Sequence, residues 1–357
     1  MEYRKLGNSG LVVSALSLGT MQFGQAMNMG KLDQTATDNM VKFAFDHGIN
    51  LIDTADVYSR GESETQLGAA LKGIREEIVL ATKFRLPMSD NINRSGATRV
   101  NIMRGVESSL KRLQTDYLDL YQVHGWDSYT PLEETLRTLD DLVRRGMVRH
   151  VGLSNYHAWQ AATALATQKS LNLEPFVTAQ LYYSLVGRDL EHDWMSFAKH
   201  SGMGILVWSP LAGGYLSGKY ARSSGAGSNT RFAEAGQFVP FDWDRGEPVL
   251  AALREVAARH NVSVARVALA WTVRQPNISS VIIAARTHEQ LEDNIKAIDL
   301  KLSSQDFAQL NAASDPGTPY PKWMVLQLDQ AEDPRAKTLE PERFLNGAPW
   351  EDLRFKK

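Results

Sequence analysis

The chain has 357 residues, 43% of them apolar and 22% charged, with a formal net charge of -2. That balance suits one large globular domain or two modest ones and leaves no electrostatic footprint for nucleic acid or an acidic membrane. Cysteine is absent, which excludes disulfides, zinc–thiolate sites, iron–sulfur clusters and thiol nucleophiles together.

The opening residues "YRKLGNSGLVVSAL" read as a hairpin turning at Asn8-Ser9-Gly10. They lack the basic-then-apolar pattern of a signal peptide. No uncharged apolar run approaches the ~18 residues that span a bilayer, so a cytoplasmic protein is expected. Eight β-type runs then follow, at 15–20, 50–55, 78–83, 117–124, 148–155, 176–183, 204–211 and 279–285, each succeeded by a segment of helical period. The clearest helix signal is "TPLEETLRTLDDLVRRG". There Thr130 and Glu133 make a capping box, Pro131 takes the first helical position and Gly146 stops the helix. A similar box pairs Thr287 with Gln290. Eight strand–helix repeats, in a chain above the ~250 residues typical of the fold, predict a closed (β/α)8 TIM barrel. The hairpin would close its bottom, and a doubly wound open sheet is the alternative. The barrel is expected over residues 1–315 of a single domain, followed by an aperiodic C-terminal tail, 316–357. That tail's Trp323, Met324, Phe344 and Trp350 suggest docking near the substrate pocket or against the outer helices. The Gly/Ser-rich stretch from Ala221 to Gly246, after the seventh strand, is a lid candidate.

Barrel active sites lie at the C-terminal strand ends. On this reading Asp53 and Tyr58 follow the second strand, Lys83 ends the third and His124 the fourth. Each alone is an unremarked strand end, but four such groups on one rim point to proton chemistry. A lysine ammonium beside a phenol favours the phenolate, a carboxylate keeps the lysine charged, and a histidine can donate to a developing oxyanion. The set suits protonation of a carbonyl oxygen while a hydride reaches the carbon.

The later strands offer a hydride carrier's contacts. Ser154, Asn155 and Gln180 can hydrogen-bond a carboxamide, although Gln180 can equally be one polar group among several inside the barrel. Trp208 offers a stacking face unless it is core, and the amides of "GGYLSGK" with Lys219 suit a pyrophosphate. Arg286 stands at a helix N-terminus, a ready anion site. "GGYLSGK" has phosphate-loop spacing, but Tyr220 replaces the magnesium-holding hydroxyl, so nucleotide hydrolysis is rejected. The GxGxxG fingerprint of a Rossmann dehydrogenase is absent.

"DTADVYSRGESETQLGAAL", "ATK", "YQVHGWD", "PLEETLRTLDDLVRRGMVRHVGLSN" and "WSPLAGGYLSGKY", in this order, resemble the motifs of the aldo-keto reductases over nearly the whole barrel. The resemblance implies an NADPH-dependent reductase of an aldehyde or ketone. It makes Asp53, Tyr58, Lys83 and His124 a catalytic tetrad, with Tyr58 the general acid. It assigns the nicotinamide amide to Ser154, Asn155 and Gln180, and stacking to Trp208. Gly19 and Thr20 after the first strand, with Ser209, Leu211, Gly213 and Lys219, would line the cofactor. Ala285, Arg286, Gln290 and Asn294, with Arg231, would take its adenosine end. No metal is implied, and the partner is a small carbonyl substrate. Two departures stand out: Ile283-Ala284 replaces a frequent Pro-Gly, and Ser59 replaces the Gly common after the tyrosine. Two other functions remain open on this barrel: a non-catalytic NADP(H)-sensing subunit, and a Schiff-base lyase using Lys83.

Overall fold

The computed structural model of the chain describes residues 1–26, 31–219, 239–240 and 242–325. Strands β1 (Tyr3–Lys5) and β2 (Val12–Ser14) form the antiparallel hairpin, with Tyr3 opposite Ser14 and Lys5 opposite Val12. Its left-handed residue is Gly7, one position earlier than the expected turn. Glycine is required there twice over. A side chain at Gly7 would have φ +57° and its Cβ would lie 2.4 Å from the Val177 carbonyl oxygen.

Eight parallel strands follow: β3 (Leu16–Gly19), β4 (Leu51–Asp53), β5 (Val79–Phe84), β6 (Leu118–Val123), β7 (Val148–Ser154), β8 (Phe176–Tyr182), β9 (Gly204–Trp208) and β10 (Ile278–Ile283). They pair in sequence order, and β10 pairs back to β3, with Val281 opposite Leu16, so the barrel is closed and the open-sheet alternative falls. The helices between them include α1 (Gln34–Asp46), α2 (Glu62–Ala70), α3 (Arg99–Leu113), α4 (Leu132–Arg144), α5 (Ala158–Ser170) and α6 (Trp194–Ser201). After β9 come α7 (Trp243–His260) and α8 (Val264–Val273), and after β10 α9 (His288–Ile295) and α10 (Ser304–Ala313). No helix among the described residues is long and apolar enough to cross a membrane.

Two cores follow from strand alternation. Outward residues such as Ile52, Leu80, Tyr121 and Val123 pack against the helices. Inward residues Leu51, Val79, Ala81, Leu120, Leu206 and Ile282 fill the lower barrel together with Leu6 and Val13 of the hairpin. The hairpin therefore plugs the bottom. Higher on the same inward rows stand Asp53, two residues after Leu51, Lys83 two after Ala81, and Gln122 two after Leu120. Along β4, β5 and β6 the inward side thus runs from hydrocarbon at the base to polar groups at the mouth.

Several local expectations need correction. Helix α4 begins at Leu132 with Pro131 as its N-cap, and Thr130 does not cap it. The Thr130 hydroxyl instead donates to Asp127 Oδ2 at 2.6 Å, a charged acceptor that outcompetes a backbone amide. At α9, Thr287 does accept the Gln290 amide, but the Gln290 side chain accepts from Arg286 N–H rather than from the cap's own. The lid candidate is shorter than expected, because Trp243 to Gly246 form the first turn of α7. The rest of it, from 221 to 238 together with 241, lies outside the described residues, as do Arg231, Phe344 and Trp350.

Candidate active site

Asp53, the last residue of β4, is buried at the centre of a ring of donors. Lys83 Nζ donates to its Oδ2 at 2.6 Å, while Gln180 Nε2 and Gln122 Nε2 donate to Oδ1 at 2.7 and 3.3 Å. Lys83 is fully buried and also donates to the Thr54 carbonyl at 2.8 Å and to Tyr58 Oη at 3.4 Å. Burial alone pushes the Lys83 pKa down. The charges of Asp53 and Tyr58 outweigh it, so the ammonium is held above its ordinary range.

Tyr58 arrives on a tight 3-10 turn, Tyr58–Gly61, rather than on a strand. Ser59 and Arg60 sit there at φ 47° and 54°, followed by Gly61 at 91°. The expected departure at Ser59 therefore falls on a left-handed position, where a side chain costs roughly 1–2 kcal/mol. Its hydroxyl offsets part of that by donating to the Phe23 carbonyl at 3.0 Å. His124 follows β6 and meets Tyr58 edge to face, ring centroids 6.1 Å apart. Burial, then the charges of Lys83 and Arg85, push the His124 pKa down to about 3, so its imidazole is neutral. Its Nδ1 is buried without a partner among the described residues. The structure thus brings all four expected groups to one mouth of the barrel.

The cofactor candidates divide by what they already bond. Gln180 spends its amide N–H on Asp53, leaving its side-chain carbonyl as an acceptor. The Ser154 hydroxyl donates to the Gln180 backbone carbonyl at 2.7 Å and can still accept. Asn155 donates to the His124 carbonyl at 2.9 Å and accepts from Trp208 Nε1 at 3.1 Å, which links the indole to the rim. Trp208 lies against Tyr182 with centroids 5.1 Å apart. Gly213 opens onto free space where a Cβ would project, and its N–H is taken by Ser209 Oγ at 2.9 Å. Leu211 lies between them and Lys219 beyond. Asn294 is buried and donates to the Ala284 carbonyl at 3.3 Å, tying α9 to the end of β10 beside Ala285 and Arg286. Two candidates are closely packed within the protein. Thr20 is fully buried with its hydroxyl against Ser63 Oγ at 3.0 Å, and Gly19 leaves room for Ile282, whose Cγ2 would lie 2.7 Å from a Cβ. The free acceptors at Gln180 and Ser154, the open space at Gly213 and the cations Lys219 and Arg286 fit a nicotinamide dinucleotide.

Three features escaped the sequence reading. Gln122 bonds Asp53 across 69 positions of sequence. Asp56 lies behind the wall in a buried cluster, where Glu64 accepts from Thr82 Oγ1 at 2.6 Å and Arg112 Nε at 2.7 Å. Arg85, two residues beyond Lys83, has φ 118° and donates to the Trp126 carbonyl at 3.0 Å. The motif "ATKFR" held that last signal, since Arg85 is an extra cation at a strand end.

A model described as the aldo/keto reductase family matches residues 15–315. The chain is 37% identical over 322 residues to an uncharacterized oxidoreductase, YrpG, of Bacillus subtilis, covering 87% of this chain and 95% of that protein. It is 30% identical to versiconal hemiacetal acetate reductase of Aspergillus parasiticus, covering 90% and 99%. It is also 33% identical to a probable voltage-gated potassium channel subunit beta of Arabidopsis thaliana, covering 84% and 92%.

Proposed function

The chain belongs to the aldo/keto reductase family, and from that premise we propose that it reduces an aldehyde or ketone to the alcohol with NADPH, Tyr58 supplying the proton. The observation that carries this is the position of Lys83 Nζ, 3.4 Å from Tyr58 Oη and 2.6 Å from Asp53 Oδ2. When bound, the dihydronicotinamide supplies a hydride to the carbonyl carbon. Tyr58 hydrogen-bonds the carbonyl oxygen and passes its proton there as negative charge builds. The Lys83 ammonium, kept charged by Asp53, stabilises the phenolate left behind. Neutral His124 donates a second hydrogen bond to the same oxygen. Gln180 and Ser154 would accept from the carboxamide, and Arg286 and Lys219 would hold the phosphates.

Tyr58→Phe keeps the ring and removes the acidic hydrogen. Ketone-dependent NADPH oxidation should fall by roughly 10²–10⁴-fold, while NADPH binding and folding persist. Near wild-type rates on an ordinary ketone would sink the assignment.

A second reading, a non-catalytic NADP(H)-sensing subunit, draws on the similarity to proteins named as potassium channel β subunits. Tight NADPH binding with no turnover across a panel of sugar, steroid, quinone and small aldehyde carbonyls would favour it. A Schiff-base role for Lys83 is disfavoured by its bond to Asp53, because imine formation needs the free amine.

A further inference from the structure

We propose that the carbonyl substrate carries a carboxylate, and that Arg85 holds it beside His124. The inference rests on the reductase reading and names the chemical class of its substrate.

Arg85 stands two residues after Lys83, where β5 opens into the mouth. Its backbone is held in a conformation that non-glycine residues rarely adopt, φ 118°, fixed by its carbonyl accepting the Gly96 N–H at 2.8 Å. Strain of this kind persists where the surroundings over-determine it, and it clusters at ligand clamps. The guanidinium is only partly used. One Nη donates to the Trp126 carbonyl, Nε is buried with no acceptor among the described residues, and the group makes no ion pair there.

Asp127, the neighbouring carboxylate, feels the charge of Arg85 but makes no ion pair with it. It already accepts from Ala97 N at 2.7 Å, Thr130 Oγ1 at 2.6 Å and Tyr129 N at 3.0 Å, which commits it to shaping the loop. With no carboxylate in direct contact and its second Nη unbonded among the described residues, the guanidinium keeps N–H groups for an incoming anion. His124 meets Tyr58 edge to face, and the charge of Arg85 helps lower its pKa, so the guanidinium stands near the imidazole that faces the reacting carbonyl. A planar carboxylate suits a guanidinium fork, whose remaining N–H groups can meet both oxygens.

The test compares 4-carboxybenzaldehyde with its neutral methyl ester, methyl 4-formylbenzoate, on the full-length protein with NADPH. Wild type should prefer the acid in kcat/KM by about tenfold or more, expressed chiefly in KM, as a charge-assisted bond allows. Arg85→Gln should lower the acid-to-ester ratio by about tenfold or more. Arg85→Lys, which keeps the charge and loses the fork, should retain an intermediate ratio. A ratio unmoved by Arg85→Gln, or equal losses on both substrates, would overturn the proposal and leave Arg85 as a support of the Trp126 loop. Calorimetric binding of terephthalate, which has no reducible carbonyl, is measured on the same proteins. If neither aldehyde turns over while terephthalate binds wild type and not Arg85→Gln, the reductase reading fails and the anion site stands. If terephthalate binds both alike, the site fails.

Discussion

Asp56→Asn should make the protein more stable, and the gain should grow with pH. Asp56 is buried behind β4, and its Oδ1 has no partner among the described residues. Burial, and then the nearby charge of Glu64, raise its pKa from 3.8 to about 8, against the opposing pull of Arg112, the Val57 amide and Lys83. The unfolded carboxyl loses its proton near 3.8 while the folded one keeps it to about 8. Between those values the folded state binds more protons, so stability falls as pH rises. Each pKa unit is worth about 1.36 kcal/mol, so the full window amounts to at most about 6 kcal/mol, reached near pH 8 and constant above it. Asparagine cannot ionise and escapes this loss. Its carbonyl can still accept from Val57 N–H. Urea denaturation of both proteins at pH 5, 6, 7, 8 and 9 yields a difference curve in which other titrations cancel. The variant's advantage should increase by several kcal/mol from pH 5 to pH 8 and then level off. Parallel curves over that range would refute a buried neutral acid at Asp56.

Lys83→Met should strip Asp53 of its cation inside the barrel. Removing one member of a buried pair costs roughly 3–5 kcal/mol, and the amides of Gln122 and Gln180 should keep the loss near the lower value. Urea midpoints and ketone turnover should both drop, and a variant as stable as wild type would contradict the counter-ion role. Arg286→Ala should weaken NADPH by about tenfold while sparing NADH, because a guanidinium rewards the extra phosphate. Equal losses for both cofactors, measured by fluorescence titration, would remove that specific role.

The barrel was legible because its strands announce themselves twice, as apolar runs and as the spacing between helical segments. Closure was not legible, since only the pairing of β10 with β3 decides it. Asp53, Tyr58, Lys83 and His124 could be read because they sit at strand ends or just beyond, where an ionisable group interrupts an apolar run. Gln122 could not be read, because an inward polar residue within a strand looks like ordinary alternation and its partner is 69 positions away. The contacts of Gln180 were hidden by a longer separation still, 127 positions. Thr130 shows the limit of local motifs: the capping pattern is present, yet a carboxylate three residues earlier claims the hydroxyl. Ser59 was visible as a departure, but the left-handed turn that makes it matter emerges only in three dimensions.

The hairpin against the barrel floor makes this vessel a cup, not a pipe. Leu6 and Val13 stop the lower end with hydrocarbon, and the first polar layer lies above them. On the proposed chemistry, each turnover spends the proton on Tyr58, and water cannot replace it from below. Recharging the acid and admitting the next substrate therefore share one doorway. A ligand lodged at that rim denies the enzyme both its reactant and its proton, so it should silence even a substrate small enough to slip past.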